Sequence, residues 1–196
     1  MNALLVRLAD IKQVLESEGR RFALIGGVAV SARATPRFTQ DIDVAVAVSD
    51  DHEAEELIWS LRRRGRKIGF ILEQAEVGRI ATVRIGDDSL GTEVVVDLLM
   101  ASSGIEQEIV SAAEVLDVGG VSFPVARTGH LLGLKLLSMD KARRLRDVID
   151  IQALLKVITH EELARTREAI ALIAARGFDR GRDLVALLDQ ALVDAG

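Results

Sequence analysis

Between Leu24 and Val44 the chain carries a double glycine, Gly26-Gly27, at the end of one apolar run and two aspartates, Asp41 and Asp43, inside the next. Side chains alternate along an extended strand, so the two aspartates share a face, about 6.6 Å apart along the chain. Carboxylates that close raise each other's pKa unless cations neutralise them. Hard divalent ions bind through one or two carboxylates together with substrate phosphates, so the pair points to nucleotide chemistry. A third carboxylate, Asp97, lies near the end of an otherwise apolar run, Val94-Val95-Val96-Asp97-Leu98-Leu99. If this run lies beside the first strand, the three aspartates converge. That arrangement suits two ions about 4 Å apart, one activating an attacking oxygen and one stabilising the leaving pyrophosphate oxygen. The competing account is a strand-start pair facing solvent or neutralised by Arg37.

A Gly-Gly turn feeding a helix lets a phosphate approach the backbone and meet the helix N-terminal N–H groups. Neither G-x-G-x-x-G nor G-x-x-x-x-G-K-[ST] is present, so dinucleotide and P-loop readings lose their main support. Cysteine is absent and the three histidines are scattered, which leaves acidic side chains to hold any metal.

These residues are carried by a chain of 196 residues, 49% hydrophobic, with a formal charge of −5. The composition argues against disorder, and no apolar stretch reaches the length of a membrane span. The amphipathic, partly acidic N-terminus does not read as a signal peptide, so a cytoplasmic protein is expected. The acidic balance and the absence of tyrosine, with one tryptophan, argue against broad nucleic-acid coating and base stacking. Two basic blocks remain: Arg62, Arg63, Arg64, Arg66 and Lys67, and Lys141, Arg143, Arg144 and Arg146. Each reads first as a solvated face or as charge complementing a helix C-terminus.

Periodicity predicts an α/β (α+β) fold: a mixed-sheet lobe with flanking helices over residues 1–126 and a helical lobe over 127–196. A helix is expected over 2–18, a buried strand over 22–26, a short helix over 28–33 and a strand over 41–48. Asp50 or Asp51 caps a helix running to about Arg64. Strands over 79–85 and 93–99 form a hairpin through residues 86–91. Gly119-Gly120 suits a type I′ or II′ turn between two further strands. Thr128 caps a helix through Met139, another covers 143–158, Thr159 with Glu162 forms a capping box, and Asp179 starts the last helix.

Gly26-Gly27, Thr39, Asp41-Ile42-Asp43 and Asp97 together resemble the pattern of the DNA polymerase beta-like nucleotidyltransferase superfamily. The segments His130-Leu131-Leu132-Gly133-Leu134-Lys135-Leu136-Leu137 and Arg146-Asp147-Val148-Ile149-Asp150-Ile151-Gln152-Ala153-Leu154-Leu155 resemble its AbiEii-like, toxin-type branch. The resemblance covers residues 20–158. It departs at Gly27, where many members have serine and so a hydroxyl for phosphate. The resemblance implies an enzyme that binds an NTP with Mg²⁺ (or Mn²⁺) between its two lobes. Asp41, Asp43 and Asp97 would be catalytic and hold metal, while Gly26, Gly27, Thr39 and Lys135 would bind nucleotide. Arg37, Asp147 and Asp150 would support them. For Lys135 the alternative is snorkelling to solvent; for Asp147 and Asp150 it is surface pairing with Arg143, Arg144 and Arg146.

The leading expectation is transfer of an NMP from an NTP to an acceptor hydroxyl, on tRNA or another RNA end or on a protein, in a toxin-antitoxin setting with a cognate antitoxin. Alternatives are an antibiotic-modifying nucleotidyltransferase, a nucleotide-binding scaffold without turnover, and a nucleic-acid-binding regulator built on Arg62 to Lys67.

Overall fold

The computed structural model describes residues 2–75, 77–86, 94–139 and 144–195, apart from the side chain of Arg144. Residues 87–91 of the expected hairpin loop, Glu93, and Lys141 and Arg143 of the second basic block lie outside the described residues.

Helix α1 (Ala3–Ser17) begins behind Asn2, whose side chain accepts from the Leu4 N–H at 3.1 Å. It buries Leu8, Ile11, Val14 and Leu15, the face its spacing predicts. Strand β1 (Phe22–Ile25) is buried throughout. Helix α2 (Gly26–Arg33) starts at the first glycine rather than at Val28, so the glycine pair is the helix's first turn and not a bend before it. Strand β2 (Asp41–Val46) follows. Asp50 caps α3 (Asp51–Arg63), accepting from the Glu53 N–H at 3.0 Å.

Strand β3 (Lys67–Gln74) is an addition to the expected elements: Ile68, Phe70 and Leu72 alternate along it, but it is a largely exposed edge strand whose Ile71 breaks the alternation. β4 (Arg79–Gly86) pairs antiparallel with β5 (Val95–Leu99), as the hairpin expectation requires. A short α4 (Glu106–Ser111) precedes β6 (Glu114–Val118) and β7 (Val121–Val125). Gly119 and Gly120 join these with φ of 64° and 91°, the two positive values of a type I′ turn. The remainder is helical: α5 (Thr128–Ser138), α6 (Arg144–Leu155), α7 (His160–Ala175) and α8 (Leu184–Ala195).

Three caps differ from expectation. Thr128 lies inside α5 and makes no cap bond; the Glu162 carboxylate accepts from the Gly129 N–H at 2.7 Å instead. The Thr159 hydroxyl does accept from the Glu162 N–H at 3.2 Å, but Glu162 does not close the capping box because its carboxylate is bonded to Gly129 and Arg127. The last helix starts at Leu184, and Asp183 rather than Asp179 bonds its first turn, accepting from the Ala186 N–H at 2.9 Å.

Among the described residues the strands form one mixed sheet in the order β3-β4-β5-β2-β1-β7-β6. β2 is central, antiparallel to β1 and parallel to β5. One apolar core runs from Leu8 and Leu15 through Leu24, Ile42 and Leu98 to Leu132 and Leu188, joining the sheet to the C-terminal helices. α2 packs on β1 and β2 and also on α5 and α6. The first basic block fastens the end of α3 to α1: Arg64 donates to Glu18 and Arg66 to Asp10, both at 2.6 Å, while Arg62 lies over Trp59. No helix of the described residues is long and apolar enough to cross a membrane.

Candidate active site

Asp43 and Asp97 are direct register partners on the parallel strands β2 and β5. Asp97 is buried, Asp43 is half-buried, and Asp41, two residues back along the same strand face, is exposed. Gly26 has φ of +65°, and a Cβ there would stand 1.9 Å from Asp43 Oδ2. The glycine's bare Cα is therefore what allows the Asp43 carboxylate to lie against the start of α2. Burial raises the Asp43 pKa first, the charges of Asp97 and Asp41 add to it, and Lys135 and Arg84 pull it partly back, leaving it at about 6.

Arg84, the register partner of Asp97 on the antiparallel strand β4, grips both carboxylate oxygens: Nε donates to Oδ1 at 2.8 Å and a terminal nitrogen to Oδ2 at 2.6 Å. Its guanidinium carbon also lies 4.5 Å from the centre of the Phe70 ring on β3, within cation–π range. Arg84 was not among the residues singled out from the sequence. The signal available was an arginine interrupting the apolar run of β4, but its partner is set by the register of β4 against β5, which the two strand sequences do not fix by themselves.

A second charge cluster adjoins the first. Asp150 on α6, 1% exposed, accepts from Arg37 Nε at 2.6 Å and from a terminal Arg37 nitrogen at 2.8 Å. Lys135 Nζ on α5 sits 2.8 Å from Asp150 Oδ2 and 3.3 Å from Asp147 Oδ1. These contacts bear on the alternative readings of four residues: Asp147 and Asp150 face inward to Lys135, Lys135 is held by them instead of snorkelling to solvent, and Arg37 is bound to Asp150. Burial pushes the Asp150 pKa up, but hydrogen bonds from Arg37 and Lys135 outweigh it and hold the carboxyl below its ordinary value. Hydrogen bonding to Asp150 raises Arg37 in turn.

Gly27 joins the two clusters. A Cβ there would come within 2.6 Å of an Arg37 terminal nitrogen and 3.1 Å of Thr39 Oγ1. Gly27, Thr39 and Arg37 thus pack together at the first turn of α2, whose cap residue Ile25 offers no side-chain hydrogen bond. Uncapped first-turn N–H groups are donors for an anion.

The donor set suits a hard divalent cation: Asp43 and Asp97 are carboxylates facing each other in register on adjacent strands, the hard oxygen donors such an ion takes. Among the described residues no three acidic or histidine side chains already converge as a ready metal cluster; Asp97 is held by Arg84 and Asp41 points to solvent.

The fold is shared with nucleotidyltransferases. The solution structure of the antibiotic-resistance factor ANT(2'')-Ia matches at a TM-score of 0.56 with 16% identity, covering 90% of this chain and 94% of its own. An antigenic nucleotidyltransferase-like protein from Paracoccidioides brasiliensis matches at 0.55 with 18% identity, covering 94% of this chain and 91% of its own. The lincosamide antibiotic adenylyltransferase LnuA, bound to lincomycin, matches at 0.50 with 14% identity, covering 77% and 96%. No curated protein matches the sequence. The family model described as nucleotidyl transferase AbiEii toxin, type IV TA system, matches residues 11–195, and with nearly the whole chain inside that match the protein belongs to the AbiEii nucleotidyltransferase family.

Proposed function

We propose that the protein transfers a nucleoside monophosphate from an NTP to a hydroxyl on RNA or protein, releasing pyrophosphate, and that it acts as the toxin of a toxin-antitoxin pair. The observation that carries this reading is the direct opposition of Asp43 and Asp97 beside the uncapped first turn of α2. Asp43 and Asp97, with Asp41, would hold Mg²⁺, which when bound polarises the phosphoryl oxygen and helps ionise the attacking hydroxyl. The first-turn N–H groups at Gly26 and Gly27 would receive phosphate oxygens, with Thr39 beside them. Lys135 adds positive charge near Asp43, and its ion pairs to Asp147 and Asp150 fix the ammonium's position. Arg37, held from the other side by Asp150, keeps the loop before β2 in place.

The test is incubation with each labelled NTP, Mg²⁺ or Mn²⁺, and total cellular RNA or protein. Label should pass to one macromolecular class with one preferred NTP, and not with Asp43→Asn. Label appearing only on added tobramycin or lincomycin would instead support the antibiotic-modifying reading, since LnuA is named a lincosamide antibiotic adenylyltransferase and ANT(2'')-Ia has been solved with adenylyl-2''-tobramycin. Nucleotide binding without transfer would indicate a scaffold. Growth arrest on expression, relieved by the product of an adjacent gene, would support the toxin role.

A further inference from the structure

Both oxygens of Asp97 are taken by one guanidinium, at 2.8 and 2.6 Å. A carboxylate gripped by a planar fork has its best lone pairs occupied, yet this is one of the carboxylates that the proposed reading gives to the metal. The Arg84 side chain is 37% exposed while that of Asp97 is 12% exposed. The fork therefore stands on the solvent side of the carboxylate. In this docked position its guanidinium carbon also lies 4.5 Å from the centre of the Phe70 ring. Lys135 is already bonded to Asp147 and Asp150, and only its charge reaches Asp43, whereas Arg84 is hydrogen-bonded to the pair itself, through Asp97.

We propose that Arg84 is a displaceable counter-ion of Asp97: it neutralises the facing aspartates in the metal-free protein and must release Asp97 before a divalent cation can use that carboxylate. Arg84 is then a positioning residue that sets the metal concentration at which the site fills. The inference rests on the metal-dependent reading above, and Mn²⁺ alone, without nucleotide, tests it.

Mn²⁺ binding is measured by the electron paramagnetic resonance of the free ion, in wild type, Arg84→Gln, Arg84→Lys, Asp97→Asn and the Arg84→Gln/Asp97→Asn pair, with melting in chelator as a second readout. Arg84→Gln should bind Mn²⁺ tighter by on the order of tenfold, the equivalent of one charge-assisted hydrogen bond lost by the competitor, and should melt lower than wild type in chelator. Arg84→Lys, which keeps the charge but loses the fork, should fall between. The gain should vanish when Asp97 is already Asn. Equal affinity in wild type and Arg84→Gln overturns the proposal, and so does a gain that persists undiminished in Asp97→Asn, since that is a distant charge effect. If Arg84→Gln does not fold, Arg84→Lys decides alone: tighter binding than wild type supports displacement and equal binding overturns it. Absence of Mn²⁺ binding in both wild type and Arg84→Gln, or binding that is undiminished by Asp43→Asn, overturns the metal reading itself and the proposal with it; loss of binding in Asp43→Asn beside no change in Arg84→Gln overturns the proposal only.

Discussion

Asp150 holds Arg37 by two hydrogen bonds, at 2.6 and 2.8 Å, across 113 positions of sequence. The pair pins helix α6 to the loop that delivers Asp41 and Asp43, and Lys135 completes it from α5 at 2.8 Å. A buried carboxylate serving two cations is costly to remove, because Arg37 loses its charged partner and Lys135 keeps only the longer contact to Asp147, at 3.3 Å.

Asp150→Ala should therefore lower stability by about 3 to 5 kcal/mol. Asp147→Ala removes only a 3.3 Å contact to Lys135 and should cost about 1 kcal/mol. Urea unfolding of the metal-free proteins checks the ranking; equal losses would mean that Asp150 is not the anchor.

Lys135→Ala should weaken nucleotide binding about tenfold, if its ammonium meets phosphate. Its burial among carboxylates adds a second expectation, a stability loss of about 1 to 2 kcal/mol. A lysine on a solvated helix face would have shown no such loss. Calorimetric titration with each Mg-NTP and thermal melting separate the two effects, and unchanged affinity would take Lys135 out of the nucleotide site.

Asp43→Asn should stabilise the metal-free protein near neutral pH. With a folded pKa of about 6 against an ordinary 3.8, the folded state binds the proton more tightly than the unfolded state. Between those values the native protein carries the extra proton, so this group's contribution to stability is present at low pH and is lost as pH rises through 6. The wild-type deficit relative to Asn should reach up to about 3 kcal/mol above pH 7 and close below pH 4. Denaturant titrations from pH 3.5 to 8 give the difference directly, and a flat difference would show that Asp43 is not perturbed. Transfer activity should fall steeply at every pH.

Gly26→Ala should abolish transfer and destabilise the fold. The residue has φ of +65°, which costs an L-residue about 1 to 2 kcal/mol, and its Cβ would overlap the Asp43 carboxylate, 1.9 Å away. Gly65→Ala is the control, since its φ is +75° with open space around the added carbon. That variant should lose similar backbone stability and keep its activity. Equal activity in both would show that the Gly26 contact with Asp43 does not matter.

Much of this protein could be read locally. The face of α1, the aspartates on alternate positions of β2, the glycine pair that opens α2 and the Gly119-Gly120 turn each follow from the period of side chains along one element or the φ range of one residue. Such preferences act over a few residues, so they are written in consecutive letters. The edge strand β3 is harder to read: Ile68, Phe70 and Leu72 alternate along it, but Ile71 interrupts the alternation and most of the far half of the strand is exposed, so the period marks no buried face. Tertiary structure alone decided which charges meet. Arg84 finds Asp97 through a hairpin register, Asp97 stands opposite Asp43 through a parallel crossover, and Asp150 collects Arg37 and Lys135 through the packing of α5 and α6 on α2. An arginine, a lysine or an aspartate is equally compatible with solvent and with burial beside an opposite charge. Which of the two it meets depends on the arrangement of segments far apart in the chain.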